Sequence, residues 1–457
     1  MNDRDRLTVF FATSEVFPLV KVGGLADVSH ALPSALARLG HEVSVFLPRY
    51  RTLPTGDVLA QLGVRANNVR EKFELAAQGT FEGVRYYTLG FSDGRPWDPP
   101  EGYVEKDLTN YVLFSRAVAD LALQPDWRAD VVHCNDWHVG HVPAYLRTID
   151  GPRPRTVLTI HNLNYQGLFE PEIASALGVT SYGAGNLLSQ GITGADVVTT
   201  VSPRYRDETL TPLFGAGLHD VLAARDADYH GVLNGVDYTE FDPSTDQHLT
   251  ARYDVDDLDG KARNKQHLQR TSGLPVDPEV PVFSFIARLV PQKGIDVLIE
   301  SLDEIGELGA QLVVVGRGED YEVILRRAAD YHPWLAYYPD SSEATARPVY
   351  AGSDLFLAPS AYEPCGLAPL IALRYGAVPI VRETGGLIDT VADTGLGFSF
   401  ARNTIRELVG AMRTAVDRYH QRAEWAELRE RGMRERFSWD QAAERYVRLY
   451  RAPEVPR

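Results

Sequence analysis

Lys21, Arg288 and Lys293 each stand at the junction between an apolar run and a helical pattern. Lys21 precedes Gly23 and Gly24, and adjacent glycines at a helix start let backbone N–H groups approach a ligand closely. Those groups and the helix dipole favour an anion, to which Lys21 adds a full positive charge. The same form recurs as Gly385-Gly386-Leu387-Ile388-Asp389. One such turn near each end of the chain suggests two similar halves facing one site. Fixed cations and helix N-termini stabilise the charge that develops on a diphosphate leaving group, with no need of a metal. A single lysine of this kind reads as a solvated surface charge. Three cations at strand–helix junctions point to phosphate.

The other polar clusters have a structural and a chemical reading each. His161 ends an apolar strand pattern and precedes Asn162. Such a histidine is commonly a hydrogen-bonded core residue, but beside Asn162 it also suits sugar hydroxyls. His133, Asp136, His138 and His141 raise the question of a metal, yet no closed tetrahedral spacing appears, so none is expected. Asp136 reads as a ligand to substrate hydroxyls or as a helix cap. Glu363 lies just before Pro364 and Gly366 in a loop opening a helix. It either compensates the helix dipole or stabilises a cationic sugar transition state, as carboxylates do in glycoside chemistry; Glu383 has the same ambiguity. Gly316-Arg317-Gly318 lacks the third glycine of a dinucleotide fingerprint, and no Gly-x-Ser-x-Gly elbow is present.

These residues need a scaffold that brings distant segments together. The chain has 457 residues, too many for one ordinary core, so two large domains are expected. Apolar runs at Leu7–Thr13, Glu42–Leu47, Val84–Leu89, Asp130–His133, Thr156–Ile160, Asp196–Val201 and Gly231–Leu233 alternate with helical patterns. The second half repeats this with Val282–Ala287, Leu312–Val315, Leu335–Tyr338, Asp354–Ala358 and Val378–Val381. Runs without clean polar alternation fit strands covered on both faces. Strand–helix alternation predicts doubly wound parallel sheets, which bind ligands at the carboxyl ends of their strands. Pro33 should kink or restart the first helix. Helices are expected over Gly294–Leu302 and Glu363–Tyr375. The Asp-rich stretch Asp242–Gly260 marks a boundary; its spacing fails an EF-hand loop.

Net charge is −16, against a nucleic-acid surface. Cys134 and Cys365 fall in different halves, which fits free thiols in a reducing, cytosolic setting. The polar Met1–Arg6 and the short run after it read as the lead into a core strand rather than a signal peptide. No run is long enough for a membrane span. Ser438-Trp439-Asp440-Gln441 is a capping-box pattern, predicting a last helix with Ala443, Tyr446, Val447 and Tyr450 on one face.

Taken in order, the motifs resemble the bacterial glycogen synthases and plant starch synthases. The matching stretches are Lys21-x-Gly-Gly-Leu-Ala-Asp27, Asn135-Asp136-Trp137-His138, His161 to Gly167, Thr200-Val201-Ser202-Pro203 and Asn234-Gly235-Val236-Asp237. They continue with Arg288-Leu289-x-x-Gln292-Lys293-Gly294, Glu363-Pro364-Cys365-Gly366-Leu367 and Thr384-Gly385-Gly386-Leu387. The resemblance implies an α/β GT-B fold: two Rossmann-like doubly wound parallel-sheet domains facing a deep cleft. The C-terminal helix would cross back to the N-terminal domain. It divides the chain into 1–243 plus 438–457 on the acceptor side and 244–437 on the donor side. It implies transfer of glucose from ADP-glucose to the non-reducing end of an α-1,4-glucan such as glycogen, with retained configuration and no cofactor or metal. Neither nucleic acid nor membrane is an implied partner. By that likeness Lys21, Gly23 and Gly24 approach the donor diphosphate, and Arg288 and Lys293 neutralise it. His161 contacts the transferred glucose, and Glu363 is the key carboxylate. Asp136 and Asn162 hold the glucose or the acceptor end, and Gly385-Gly386 binds phosphate or sugar. Asp27, Asn234, Cys365, Gly366, Leu367 and Thr384 complete the implied substrate contacts.

Some stretches depart from the family pattern. Ser92–Lys106 looks shortened, Ser189-Gln190-Gly191 replaces a Lys-Gly-Gly type, and little separates Val391 from Gly397-Phe398. Val22 replaces a frequent threonine. These bear on acceptor length, not on the donor chemistry. Base contacts cannot be read from the motifs, so UDP-glucose or another acceptor is an alternative. A non-catalytic glucan-binding protein is a further one, opposed by the complete diphosphate set.

Overall fold

The computed structural model describes residues 6–100, 107–179 and 185–451. The readings of Met1–Arg6 and Ser92–Lys106 therefore fall partly outside the described residues. The chain divides into two compact units, Met1–Asn234 with Trp439–Arg457, and Gly235–Ser438. The strip 235–243 belongs to the second unit. There Phe241 joins an apolar cluster with Tyr253 and Tyr375, and Asp242 pairs with Arg374 at 2.7 Å.

Among its described residues, the first unit has a nine-stranded sheet. The strands are β1 (Thr8–Ala12), β2 (Glu42–Pro48), β3 (Asp57–Ala66), β4 (Val69–Phe81), β5 (Val84–Phe91), β6 (Val131–Asn135), β7 (Arg155–Ile160), β8 (Val197–Thr200) and β9 (Tyr229–Gly231). Their order is β3-β4-β5-β2-β1-β6-β7-β8-β9. Pairing is parallel from β5 to β9, and β3 and β4 add an antiparallel hairpin at one edge. The chain winds outward one way from β1 through β2 and the other way from β6, so the order reverses between β1 and β6. Such a switch point opens a crevice at the carboxyl ends of the two strands.

Helix Gly24–Arg38 follows β1. It buries Leu25, Val28, Leu32, Ala35 and Leu36 at helical spacing. Contrary to expectation it runs unbroken through Pro33. A proline removes one ladder bond, here that of the Ser29 carbonyl, and the buried ring returns part of that loss through packing. The last helix, Trp439–Arg451, packs on this same unit, with Trp439, Ala443, Tyr446 and Tyr450 buried in its core. The Tyr450 hydroxyl lies 2.7 Å from His133 Nδ1.

The second unit has a six-stranded sheet among its described residues. Its strands are β10 (Val282–Ile286), β11 (Gln311–Val315), β12 (Leu335–Tyr338), β13 (Leu355–Ala358), β14 (Val378–Arg382) and β15 (Phe398–Phe400). All are parallel, in the order β12-β11-β10-β13-β14-β15. Alternate residues enter different cores. Phe283, Phe285, Leu355 and Leu357 pack on one face, while Phe356 and Ala358 pack on the other. Both faces are thus covered, which is why these runs lack polar alternation. The switch point here lies between β10 and β13.

Two expected helices are corrected. Gly294–Leu302 is split into Ile295–Glu300 and Leu302–Gly306; the Ser301 hydroxyl at the break donates to the Leu298 carbonyl at 2.9 Å. Glu363–Tyr375 becomes helical only over Leu367–Arg374. Gly366 precedes it at φ 84°, a left-handed conformation that keeps Glu363 in a loop.

Candidate active site

The expected residues cluster at the two switch points. In the first unit, β1 leads into the loop carrying Lys21, Gly23 and Gly24. Lys21 is exposed and its Nζ meets Asp27 Oδ1 at 2.8 Å. The N–H groups of Val22 and Gly23 donate to Glu15 Oε2 at 2.6 and 2.9 Å. The turn therefore has a resident carboxylate. Glu15 is buried, and burial pushes its carboxyl above the ordinary value while those two amides pull it down. The anion-binding reading of this turn thus passes from its amides to Lys21 and the start of the helix.

Across the crevice, β6 ends in Asn135 and Asp136, and β7 leads to His161 and Asn162. Asp136 Oδ1 accepts the His161 N–H at 2.7 Å. Burial pushes the Asp136 carboxyl up to about 7, opposed by the His161 and Asn162 amides. Asp136 is held at φ 59°, a costly region for a residue with a side chain and a common mark of functional loops. His161 Nε2 lies 3.0 Å from Asn135 Oδ1. Burial lowers the His161 ring to about 3, so it is neutral at ordinary pH. Asn162 Oδ1 accepts the Asn164 N–H at 3.1 Å, shaping its own turn. Asn234 is buried after β9, with Oδ1 unpaired among the described residues. The other histidines of this region are engaged in the core. His133 lies between Tyr450 and Thr159, His138 stacks on Trp137, and His141 bonds Gln190.

In the second unit, β10 leads to Arg288 and Lys293, β13 to Glu363, and β14 to Thr384, Gly385 and Gly386. Lys293 Nζ meets Glu363 Oε2 at 2.5 Å, and the Ser360 hydroxyl donates to the same oxygen at 3.0 Å. Ser360 is buried, and Arg382 Nε holds its carbonyl at 2.6 Å. The Ala361 N–H donates to the Gln292 carbonyl at 2.8 Å, tying the Lys293 turn to the Glu363 loop. Gly386 donates its N–H to the Glu363 carbonyl at 3.1 Å. A Cβ on Gly386 would lie 2.3 Å from the Cys365 carbonyl oxygen, so only glycine allows this approach. Gly385-Gly386 is thereby knitted to the loop of Glu363, Cys365 and Gly366, and Leu367 opens the helix behind it. Thr384 is buried, while Arg288 stands exposed at the mouth of the same edge. A cavity of about 50 Å³ lies behind Lys293, Ser360 and Glu363. Glu15, Ser360 and Arg382 have roles the sequence did not single out, and Asn135 stood in a matched motif without an assigned role.

Two doubly wound sheets in one chain, each with charged loops at its switch point, are the architecture expected of a glycosyltransferase of GT-B type. Residues 8–224 match the family model described as the starch synthase catalytic domain, and 270–431 that of glycosyl transferases group 1. The chain is 40% identical to a glycogen synthase of Exiguobacterium sibiricum, over 97% of this chain and 99% of that one. It is 41% identical to a glycogen synthase of Thioalkalivibrio sulfidiphilus, with the same coverage. Among solved structures it resembles the catalytic domain of starch synthase IV from Arabidopsis thaliana, bound to ADP and acarbose. That match has a TM-score of 0.87 and 31% identity, covering 97% of this chain and 99% of that one. The chain belongs to the glycogen synthase and starch synthase family. It is a retaining glucosyltransferase. Among the described residues no helix is long and apolar enough to cross a membrane.

Proposed function

We propose that the protein transfers glucose from ADP-glucose to the non-reducing end of an α-1,4-glucan, extending glycogen. The bond from the anomeric carbon to the diphosphate breaks, a bond to the acceptor's 4-oxygen forms as that hydroxyl gives up its proton to the departing diphosphate, and ADP leaves. The observation that carries this reading is the Lys293–Glu363 pair at the second switch point. A carboxylate held in an ion pair is suited to facing the positive charge that builds on the sugar ring. Lys293 and Arg288 answer the negative charge building on the diphosphate. Lys21 is assigned to a phosphate of the donor, and neutral His161 to the glucose hydroxyls. Asp27, Asp136, Asn162, Asn234, Cys365, Gly366, Leu367, Thr384 and the two glycine turns are assigned to shaping or contacting the substrates. The starch synthase solved with ADP and acarbose supports both the donor nucleotide and the glucan. The buried thiols of Cys134 and Cys365 support a cytosolic setting.

The test is release of nucleoside diphosphate from ADP-glucose or UDP-glucose with glycogen as acceptor. ADP release that requires glycogen is expected. Release from UDP-glucose alone would reject the assigned donor. No release from either donor, with retention on a glucan gel, would reject catalysis.

A further inference from the structure

We propose that Asn135 is a positioning residue that fixes the tautomer of His161, leaving Nδ1 as a bare acceptor for a hydroxyl of the transferred sugar. This rests on the assignment of His161 to the glucosyl group.

Asn135 is the last residue of β6 and fully buried. Its side chain has two hydrogen-bond partners among the described residues. Nδ2 lies 3.0 Å from the Ala12 carbonyl at the end of β1, and Oδ1 lies 3.0 Å from His161 Nε2. A backbone carbonyl can only accept, so the amide nitrogen must face Ala12. The reverse orientation would set two carbonyl oxygens against each other in a buried place. The oxygen facing His161 can likewise only accept, so Nε2 must carry the proton. A neutral imidazole has one N–H, and its other nitrogen keeps its lone pair. Asp136 fixes the base of the same residue through the His161 N–H. Further titratable groups nearby are His133, two residue pairs deeper in the sheet and bonded to Thr159 and Tyr450, and Glu15, close enough to Asp136 to act on its charge and bonded to the Val22 and Gly23 amides. None of these offers Nε2 a second acceptor.

The consequence is selectivity within the site. A bare Nδ1 attracts a hydroxyl, which can donate to it. It repels a phosphate oxygen, which cannot. His161 would then serve the sugar, and the diphosphate would be left to the cations.

The tautomer is read by two-bond ¹H–¹⁵N correlation on the protein labelled with ¹⁵N-histidine, with the His161 signals assigned from their loss in His161→Gln. The expected pattern is a protonated Nε2 and an unprotonated Nδ1. A protonated Nδ1 in the wild-type protein overturns the proposal, and this arm needs no Asn135 variant to fold. In Asn135→Leu the pattern should shift to a mixture of tautomers, with kcat falling about tenfold, one hydrogen bond's worth, and KM for the donor little changed. An unaltered spectrum and kcat in a folded Asn135→Leu also overturn it. Full activity of His161→Gln would strike the sugar assignment instead, leaving the tautomer to the spectrum.

Discussion

Replacing Glu363 by alanine is expected to lower kcat by about 10²–10³-fold, the scale of losing one preorganised electrostatic group, with the fold intact. The fold should survive because Glu363 stands in a loop and Lys293 retains some access to solvent, at 22% side-chain exposure. Glu363→Gln separates charge from shape. The amide can still accept from Ser360 and fill the same space, but it cannot offset positive charge on a sugar ring. Both variants should therefore be slow, with thermal midpoints close to that of the parent protein. Turnover of Glu363→Gln within about threefold of wild type would remove the carboxylate's charge from the mechanism. It would leave Glu363 as the helix-start residue that its position before Pro364 also allows.

Lys293→Met is the second large loss. Methionine keeps an unbranched apolar stem but removes the ammonium from Glu363 and from the departing diphosphate. The expected fall in kcat/KM is again about 10²–10³-fold, with KM for the nucleotide sugar rising as well as kcat falling. Because the two groups touch, their losses should not add. The double variant Glu363→Gln with Lys293→Met should fall by less than the product of the single effects. Steady-state kinetics over a range of donor concentrations checks both statements. Strict additivity would mean that the ion pair has no part in the reaction. Unchanged kinetics in Lys293→Met would shift the diphosphate wholly to Arg288 and Lys21.

Much of the scaffold was legible because both parallel sheets are covered on two faces. Their strands, from Thr8–Ala12 to Val378–Arg382, consequently read as continuous apolar runs. The hairpin of β3 and β4 escaped notice for the opposite reason. Its buried residues Leu62, Val64, Phe73 and Leu75 alternate with polar ones such as Arg65, Lys72 and Glu74. A period of two was there to be read. β15 is three residues long and gives no such signal. At the site, residue types at strand ends located Glu363, Lys293, Asp136 and His161, but partners far apart in sequence were not visible. Nothing in the order of residues says that Ser360 and Lys293 share one oxygen of Glu363, or that Glu15 occupies the amides of Val22 and Gly23. Glu15 did carry one clue: it closely follows β1, on the edge where a parallel sheet collects its ligands.

The most direct test of the central claim follows the anomeric carbon itself. ADP-glucose labelled with ¹³C at that carbon would be incubated with the protein and a linear malto-oligosaccharide, and the new linkage read by NMR. Transfer with retention predicts an α signal at the non-reducing end and released ADP in equal amount. A β linkage, or label recovered only as free glucose, would contradict the account.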